Sequence, residues 1–111
     1  MAPLALNTTS SDVARRHSCD EREHGDMGER GSDNSLPADR LRAAGMLFTL
    51  NAESLGVAVA PNETDALAAL NSDLLTSASL TANALNPAFK QVGIGAVYLD
   101  GVMLLTADFT S

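Results

Sequence analysis

The side chains able to do chemistry are few and scattered. Two histidines, His17 and His24, lie in the charged run Arg15-Arg16-His17-Ser18-Cys19-Asp20-Glu21-Arg22-Glu23-His24. Imidazole ligates metals and carries protons near neutral pH, but no second histidine or cysteine stands at ligand spacing beside His17. His17 therefore reads as a packed, hydrogen-bonded helix residue and His24 as a solvated one. Cys19 is the only cysteine, which excludes an intramolecular disulfide, a CxxC metal site and a dithiol redox pair. Ser10, Ser11 and Ser18 lack the Gly-x-Ser-x-Gly frame of a nucleophile elbow, and no aspartate and histidine stand at a spacing that marks a triad. Gly93-Ile94-Gly95 is not a dinucleotide fingerprint, because no third glycine follows and no helix opens after it. It reads as a strand with a bulge or with another backbone close against it.

Composition narrows the classes further. The formal net charge is −7, and six of the seven basic residues (Arg15, Arg16, Arg22, Arg30, Arg40 and Arg42) precede residue 43, with only Lys90 beyond. Nucleic acid is excluded as a partner on this balance, because phosphate binding rests on Lys and Arg displacing counterions. The 111 residues contain no Trp, three Phe and one Tyr, so the core has to be built from Leu, Ala and Val. Such a core predicts stability near the low end of the roughly 5–15 kcal/mol of folded domains. No stretch reaches the ~18 apolar residues of a membrane span, and Met1-Ala2-Pro3-Leu4-Ala5-Leu6 is too short for a signal peptide. The chain as given is expected to be soluble, and any export leader to have been removed.

The elements that must position these residues follow from caps, breakers and periodicity. Potential N-caps crowd Asn7 to Asp12, and Val13 to Glu23 predicts a helix with little to bury beyond Val13, Ala14 and the tip of His17, with Asp12/Arg16 and Ser18/Arg22 pairs along it. Gly25, Gly28 and Gly31 open a loop. Ser35-Leu36-Pro37 restarts a short helix with a hydroxyl cap, through Arg40, Leu41 and Ala44 to Gly45. Met46 to Leu50 reads as a strand or an extended lead-in, and Val57 to Ala60 as extended. Asn62 and Asp65 form a capping box before Leu67, Leu70 and Leu74, an apolar stripe that predicts the best-supported helix. Ser77 to Leu85 predicts another, ended by Asn86-Pro87. Asp100-Gly101 between two apolar runs predicts a tight hairpin, with Phe109 anchoring the chain end.

Three stretches, in order, resemble the bacterial branch of the CAP superfamily, also called the SCP domain. Ala14-Arg15-Arg16-His17-Ser18 through Gly31-Ser32-Asp33-Asn34-Ser35-Leu36-Pro37-Ala38-Asp39-Arg40-Leu41 is similar to its helix, loop and GSDGSxPxDRL segment. Ala52-Glu53-Ser54-Leu55 resembles its GENL motif. Ala82-Asn83-Ala84-Leu85-Asn86-Pro87-Ala88-Phe89-Lys90-Gln91-Val92-Gly93-Ile94-Gly95 resembles xNILNPxFxxVGxG, and Asp108-Phe109 its last strand. The resemblance implies an α+β fold, an α-β-α sandwich with a small antiparallel sheet between helical layers. It implies one domain over residues 1–111 lacking the family's N-terminal helix, and a secreted setting.

The family's cleft usually carries two histidines and one or two glutamates, a donor set suited to a divalent metal. On the resemblance, the first histidine falls on Glu29 and the second on Leu80, with Thr81 in place of the following arginine; Glu53 is retained. Leucine neither ligates a metal nor moves a proton. The cleft is therefore expected to be degenerate, with Glu53, Glu29 and Leu80 as remnants and no catalytic residue, metal or cofactor. On its own, Glu53 reads as a solvated or capping glutamate in a loop, and Glu29 facing it would make a weak Ca²⁺ or Mg²⁺ pair. The leading expectation is a secreted, non-catalytic binding or interaction module whose partner is a protein or a small apolar ligand, with a homo-oligomer left open. The alternative is a weak divalent-metal-dependent hydrolase using Glu53, Glu29 and water.

Overall fold

The computed structural model describes residues 4–25, 28, 30–76 and 78–111. Its elements in chain order are β1 (Ala5–Leu6), α1 (Thr8–His24), α2 (Pro37–Ala43), β2 (Asn51–Val59), α3 (Glu63–Thr76), α4 (Ala78–Leu85), β3 (Gln91–Leu99) and β4 (Val102–Thr110). The strands form one sheet in the order β1-β3-β4-β2. The β2/β4 and β3/β4 pairs are antiparallel; β1 adds in parallel to the edge of β3, so the α+β sheet is mixed rather than wholly antiparallel.

Local chemistry fixes the element ends. Asn7 accepts from the Ser10 amide at 2.9 Å, and Gly25 closes α1 in the left-handed region at φ 73°. α1 thus starts at Thr8 rather than Val13, because Asn7 outcompetes the serines as cap. The Ser11 hydroxyl instead accepts from the Ile94 amide. At α2 the expected hydroxyl cap is absent: the Asp39 carboxylate accepts from the Leu36 amide, and Ser35 Oγ donates to Asp33. Asn62 and Asp65 close α3 as expected, the Asp65 amide donating to Asn62 Oδ1 at 2.8 Å. Asp100 and Gly101 both take positive φ, 53° and 80°, the geometry of a two-residue hairpin turn. Met46 to Leu50 is not a strand; β2 begins at Asn51 and takes in both the Glu53 motif and Val57 to Val59.

Helix α1 lies directly on β3. A Cβ added at Gly93 would run into the backbone of Ser10 and Ser11, and one at Gly95 into Arg15 and Ala14. Of the two readings of the Gly-x-Gly spacing, a bulge or a close backbone approach, this is the second. The helix buries far more than Val13 and Ala14, because Ser10, His17, Ser18 and Glu21 are buried with them. The expected polar pairs along it also differ. Arg15 rather than Arg16 approaches Asp12, at 3.9 Å, and Arg22 reaches across to Asp100 at 2.9 Å.

Strand β4 is central, and eight of its nine residues, Met103 to Thr110, are buried. Its side chains alternate between two helical layers. Met103, Leu105, Ala107 and Phe109 join Ala58, Phe89 and the α3 residues Ala66 and Leu70 in an apolar core, with the Phe89 and Phe109 rings 5.8 Å apart. Leu104, Thr106, Asp108 and Thr110 face the other way. Among the described side chains of α3, Leu70 packs on the sheet as expected, but its buried partner one turn earlier is Ala66, while Leu67 is 56% exposed. The side chain of Leu74 and the whole of Ser77 lie outside the described residues.

Candidate functional site

The second face of the sheet holds a buried polar cluster. In β2, consecutive residues point to opposite faces. Ser54 meets Ser79 and Asn83 of α4, at 3.1 and 3.0 Å, so Glu53 points to the side of α1 and α2. Its side chain has no solvent exposure, which corrects the expectation of a solvated loop glutamate: the residue sits inside a nine-residue strand, not in a loop. Arg40 of α2 donates from Nη2 to Glu53 Oε2 at 2.9 Å and from Nη1 to the Ser35 carbonyl at 2.9 Å. Asp108 stands directly opposite Glu53 in the β2/β4 register and is fully buried.

From α1, His17 Nε2 lies 2.7 Å from the Gly28 carbonyl. A carbonyl only accepts, so this nitrogen carries the hydrogen. The same atom is 3.6 Å from Glu53 Oε1 and 3.7 Å from Glu21 Oε1. One helical turn on, Ser18 Oγ donates to the Gly95 carbonyl at 3.2 Å and lies 2.9 Å from Thr106 Oγ1. With its own proton committed to Gly95, Ser18 accepts from Thr106, which ties α1 to two strands.

The acids of this cluster are held toward their neutral forms. Burial raises Glu53 to about 9, reinforced by its hydrogen bond to Asp108 and the charge there; His17 and Arg40 oppose the shift. Burial also raises Asp108, against the pull of Glu53's hydrogen bond and Arg40. Among the described residues neither Asp108 oxygen finds a hydrogen-bond donor, so the donor between the two carboxyls has to be a proton held by one of them. Glu21 is raised to about 7, mainly by burial and then by the charge of Glu53.

A cleft of about 300 Å³ opens beside the cluster, between α1 and the 31–35 loop leading into α2; Arg16, His17, Asp20, Ser32, Asp33 and Arg40 line it. Its acids are already engaged. Asp20 accepts from the Ser32 amide at 2.7 Å and from its hydroxyl, and these bonds lower its pKa. Asp33 is lowered by Ser35 in the same way. His24 sits outside, half-exposed, 3.1 Å from Asp20 Oδ1.

Of the remnants expected from sequence, Glu53 and Leu80 do not meet. Leu80, on α4, packs half-buried against the apolar core, so the sheet stands between it and Glu53. Glu29 lies outside the described residues. Among the described residues His17, Glu21, Arg40 and Asp108 stand around Glu53, and nothing in the sequence marks any of them as its neighbour. The signals were present as a His17/Glu21 pair one turn apart and as the alternation Thr106, Asp108, Thr110 in an otherwise apolar strand. Among the described residues no group of three His, Cys, Asp or Glu side chains is arranged to hold a metal ion. The carboxylate the family's metal set would use is buried against Arg40, so the described residues do not fit such a metal.

No protein-family model matches the sequence, and no curated protein does. Solved structures do. An extracellular protein containing an SCP domain from Bacillus anthracis superposes with a TM-score of 0.76 at 28% identity, over 99% of this chain and 34% of that one. The chain has a CAP/SCP-like fold. An outer surface protein of Borrelia burgdorferi matches that fold with a TM-score of 0.79 at 17% identity, over 100% of this chain and 79% of the other. A cysteine-rich secretory protein of Staphylococcus aureus gives 0.63 at 14% identity, over 100% of this chain and 33% of its own. The CAP/SCP-like unit seen here thus spans about a third of the Bacillus and Staphylococcus chains. No helix among its described residues is long and apolar enough to cross a membrane.

Proposed function

We propose that this chain is an extracytoplasmic, non-catalytic CAP/SCP-like binding or interaction module whose metal-type cleft has lost its ligands. The observation that carries the reading is Glu53. The one family carboxylate retained has an unexposed side chain and is bound by Arg40 and the Asp108 carboxyl, where it serves packing and charge balance. Leu80, at the second histidine's position, contributes to the core instead. The extracellular and outer-surface proteins that share the fold support an extracytoplasmic setting. A hydrolase using Glu53, Glu29 and a metal-bound water would need that carboxylate open to solvent.

For the ligand, the reading is supported by a groove of about 480 Å³ lined by Leu4, Ala84, Leu85, Pro87 and Phe89, with Lys90 beside it. It is of a size for a small apolar molecule. Thermal melts with Zn²⁺, Ca²⁺ and Mg²⁺ test the non-metal reading. A site at 100 times its Kd would add about 2.7 kcal/mol; no saturable shift is expected. A saturable rise in Tm that disappears in Glu53→Gln would overturn the reading.

A further inference from the structure

The sheet ends on one side at β2, which no strand among the described residues pairs on its outer side. Its register against β4 runs unbroken from Asn51↔Thr110 to Val59↔Val102, with no bulge. The Ser111 amide donates to the Leu50 carbonyl and the Ala60 amide to the Gly101 carbonyl. Even positions therefore turn their backbone groups toward β4, and Leu55, Val57 and Val59 turn theirs outward. Exposed edges are normally blunted by lysine, proline, a bulge or short length. Residues 55–59 carry no lysine, proline or bulge. Val57 is 46% and Val59 77% exposed, and they begin two apolar rows across the sheet, Val57-Leu104-Val97 and Val59-Val102-Leu99, the last of which is 54% exposed.

We infer that this edge pairs antiparallel with β2 of a second copy, Val57 opposite its own counterpart and Leu55 opposite Val59. The occupant has to be an extended strand, because what the edge offers is a row of backbone donors and acceptors. It has to be uncharged and apolar on one face, and Leu55-Gly56-Val57-Ala58-Val59 meets both requirements. Self-pairing about Val57 is a closed two-fold contact that satisfies both edges at once. Each copy carries −7 overall, yet no charge falls in the paired segment, and the Glu53 side chain is buried outside it. Five residues span only about 16 Å at ~3.3 Å each, and the strip falls short of the ~800 Å² per partner of a stable dimer. The association is therefore weak, and it tightens with salt, which screens the repulsion between copies.

Sedimentation velocity on the full chain from micromolar to millimolar concentration should show a dimer emerging at the upper end, and emerging earlier at 0.5 M than at 0.05 M NaCl. Val57→Lys should abolish it while the far-ultraviolet circular dichroism stays unchanged; Val59→Lys, at a more exposed position, serves if the first variant misfolds. In a Cys19→Ser background, Val57→Cys should oxidise to a linked dimer, because paired Cα atoms ~5.5 Å apart lie within disulfide reach, and Thr9→Cys should not. A chain monomeric throughout overturns the inference. So does a dimer indifferent to both lysine variants, or one in which Val57→Cys does not link.

Discussion

The two faces of strand β4 are buried alike and held by different physics. On one, Met103, Leu105, Ala107 and Phe109 meet α3 and Phe89 through apolar contact alone. On the other, Thr106, Asp108 and Thr110 meet α1 and β2 across hydroxyls, an imidazole, a guanidinium and three carboxyls, Glu21, Glu53 and Asp108. The first face draws its stability from area removed from water, a term indifferent to pH. The second is tolerable only because its acids keep protons and Arg40 offsets the charge that remains. One strand therefore shows how alternation can join an ordinary core to a proton-dependent one.

The sharpest way to break the contrast is to damage each face and compare the losses at two pH values. Phe109→Ala removes the largest fully buried side chain among the described residues and should cost about 3–5 kcal/mol by urea unfolding, equally at pH 5 and pH 8.5. A loss that changes with pH would mean the two faces are coupled. Arg40→Met leaves the Glu53/Asp108 pair without its guanidinium and should cost about 3 kcal/mol at pH 8.5. At pH 5, where the carboxyls are better protonated, the cost should shrink markedly. An equal cost at both pH values would show that Arg40 acts by packing.

The intact protein gives a smaller signal. Glu21 and Glu53 titrate at about 7 and about 9 in the folded state, well above the ordinary carboxylate range, and Asp108 is raised as well. The fold thus holds protons that the unfolded chain releases. Their stabilising contribution is complete below about pH 4 and is lost as pH rises through 7 and then toward 9. Asp20 and Asp33 shift downward and work in the opposite sense, weakening the fold only in stronger acid. Stability should therefore peak near pH 4–5 and fall by roughly 1–3 kcal/mol by pH 8.5, a Tm change of several degrees. Glu21→Gln should flatten the part of that decline between pH 5 and 7.5 and raise stability at pH 8 by about 1 kcal/mol. A Tm that rises from pH 5 to 8 would contradict the protonated cluster.

What the sequence reveals and what it conceals divide along the same line. The Asp100-Gly101 turn, the Asn62/Asp65 cap, the close approach at Gly93 and Gly95 and the Phe109 anchor depend on residues near one another in the chain or on a backbone rule. All are legible, and so is the fold class through its ordered motifs. The polar cluster is not, because it is made by register: Glu53 and Asp108 become neighbours only when β2 pairs with β4. For the same reason Glu53 reads as a loop residue and α1 as poorly buried, since serine, histidine and glutamate on a helix read as solvated until strands with matching hydroxyls and carboxyls lie beneath them. For α3 the leucine spacing was the stronger pattern, yet small Ala66 rather than Leu67 faces the sheet, because helix orientation is set by what it packs on.

Strand β4 is the centre of the sheet and also follows every other element in the sequence, and this bears on the time course of folding. The first long helix is fastened to residues some eighty or more positions later, Asn7 to Gln91 and Ser18 to Thr106. Its contacts cannot form while the chain is incomplete. A chain lengthening at roughly 5–20 residues per second would carry α1 with nothing to bury it against until the hairpin arrived. Closing loops of that length is slow compared with forming a helix or a turn. The inward face of α1 therefore has nothing to close against until β3 and β4 have both been made.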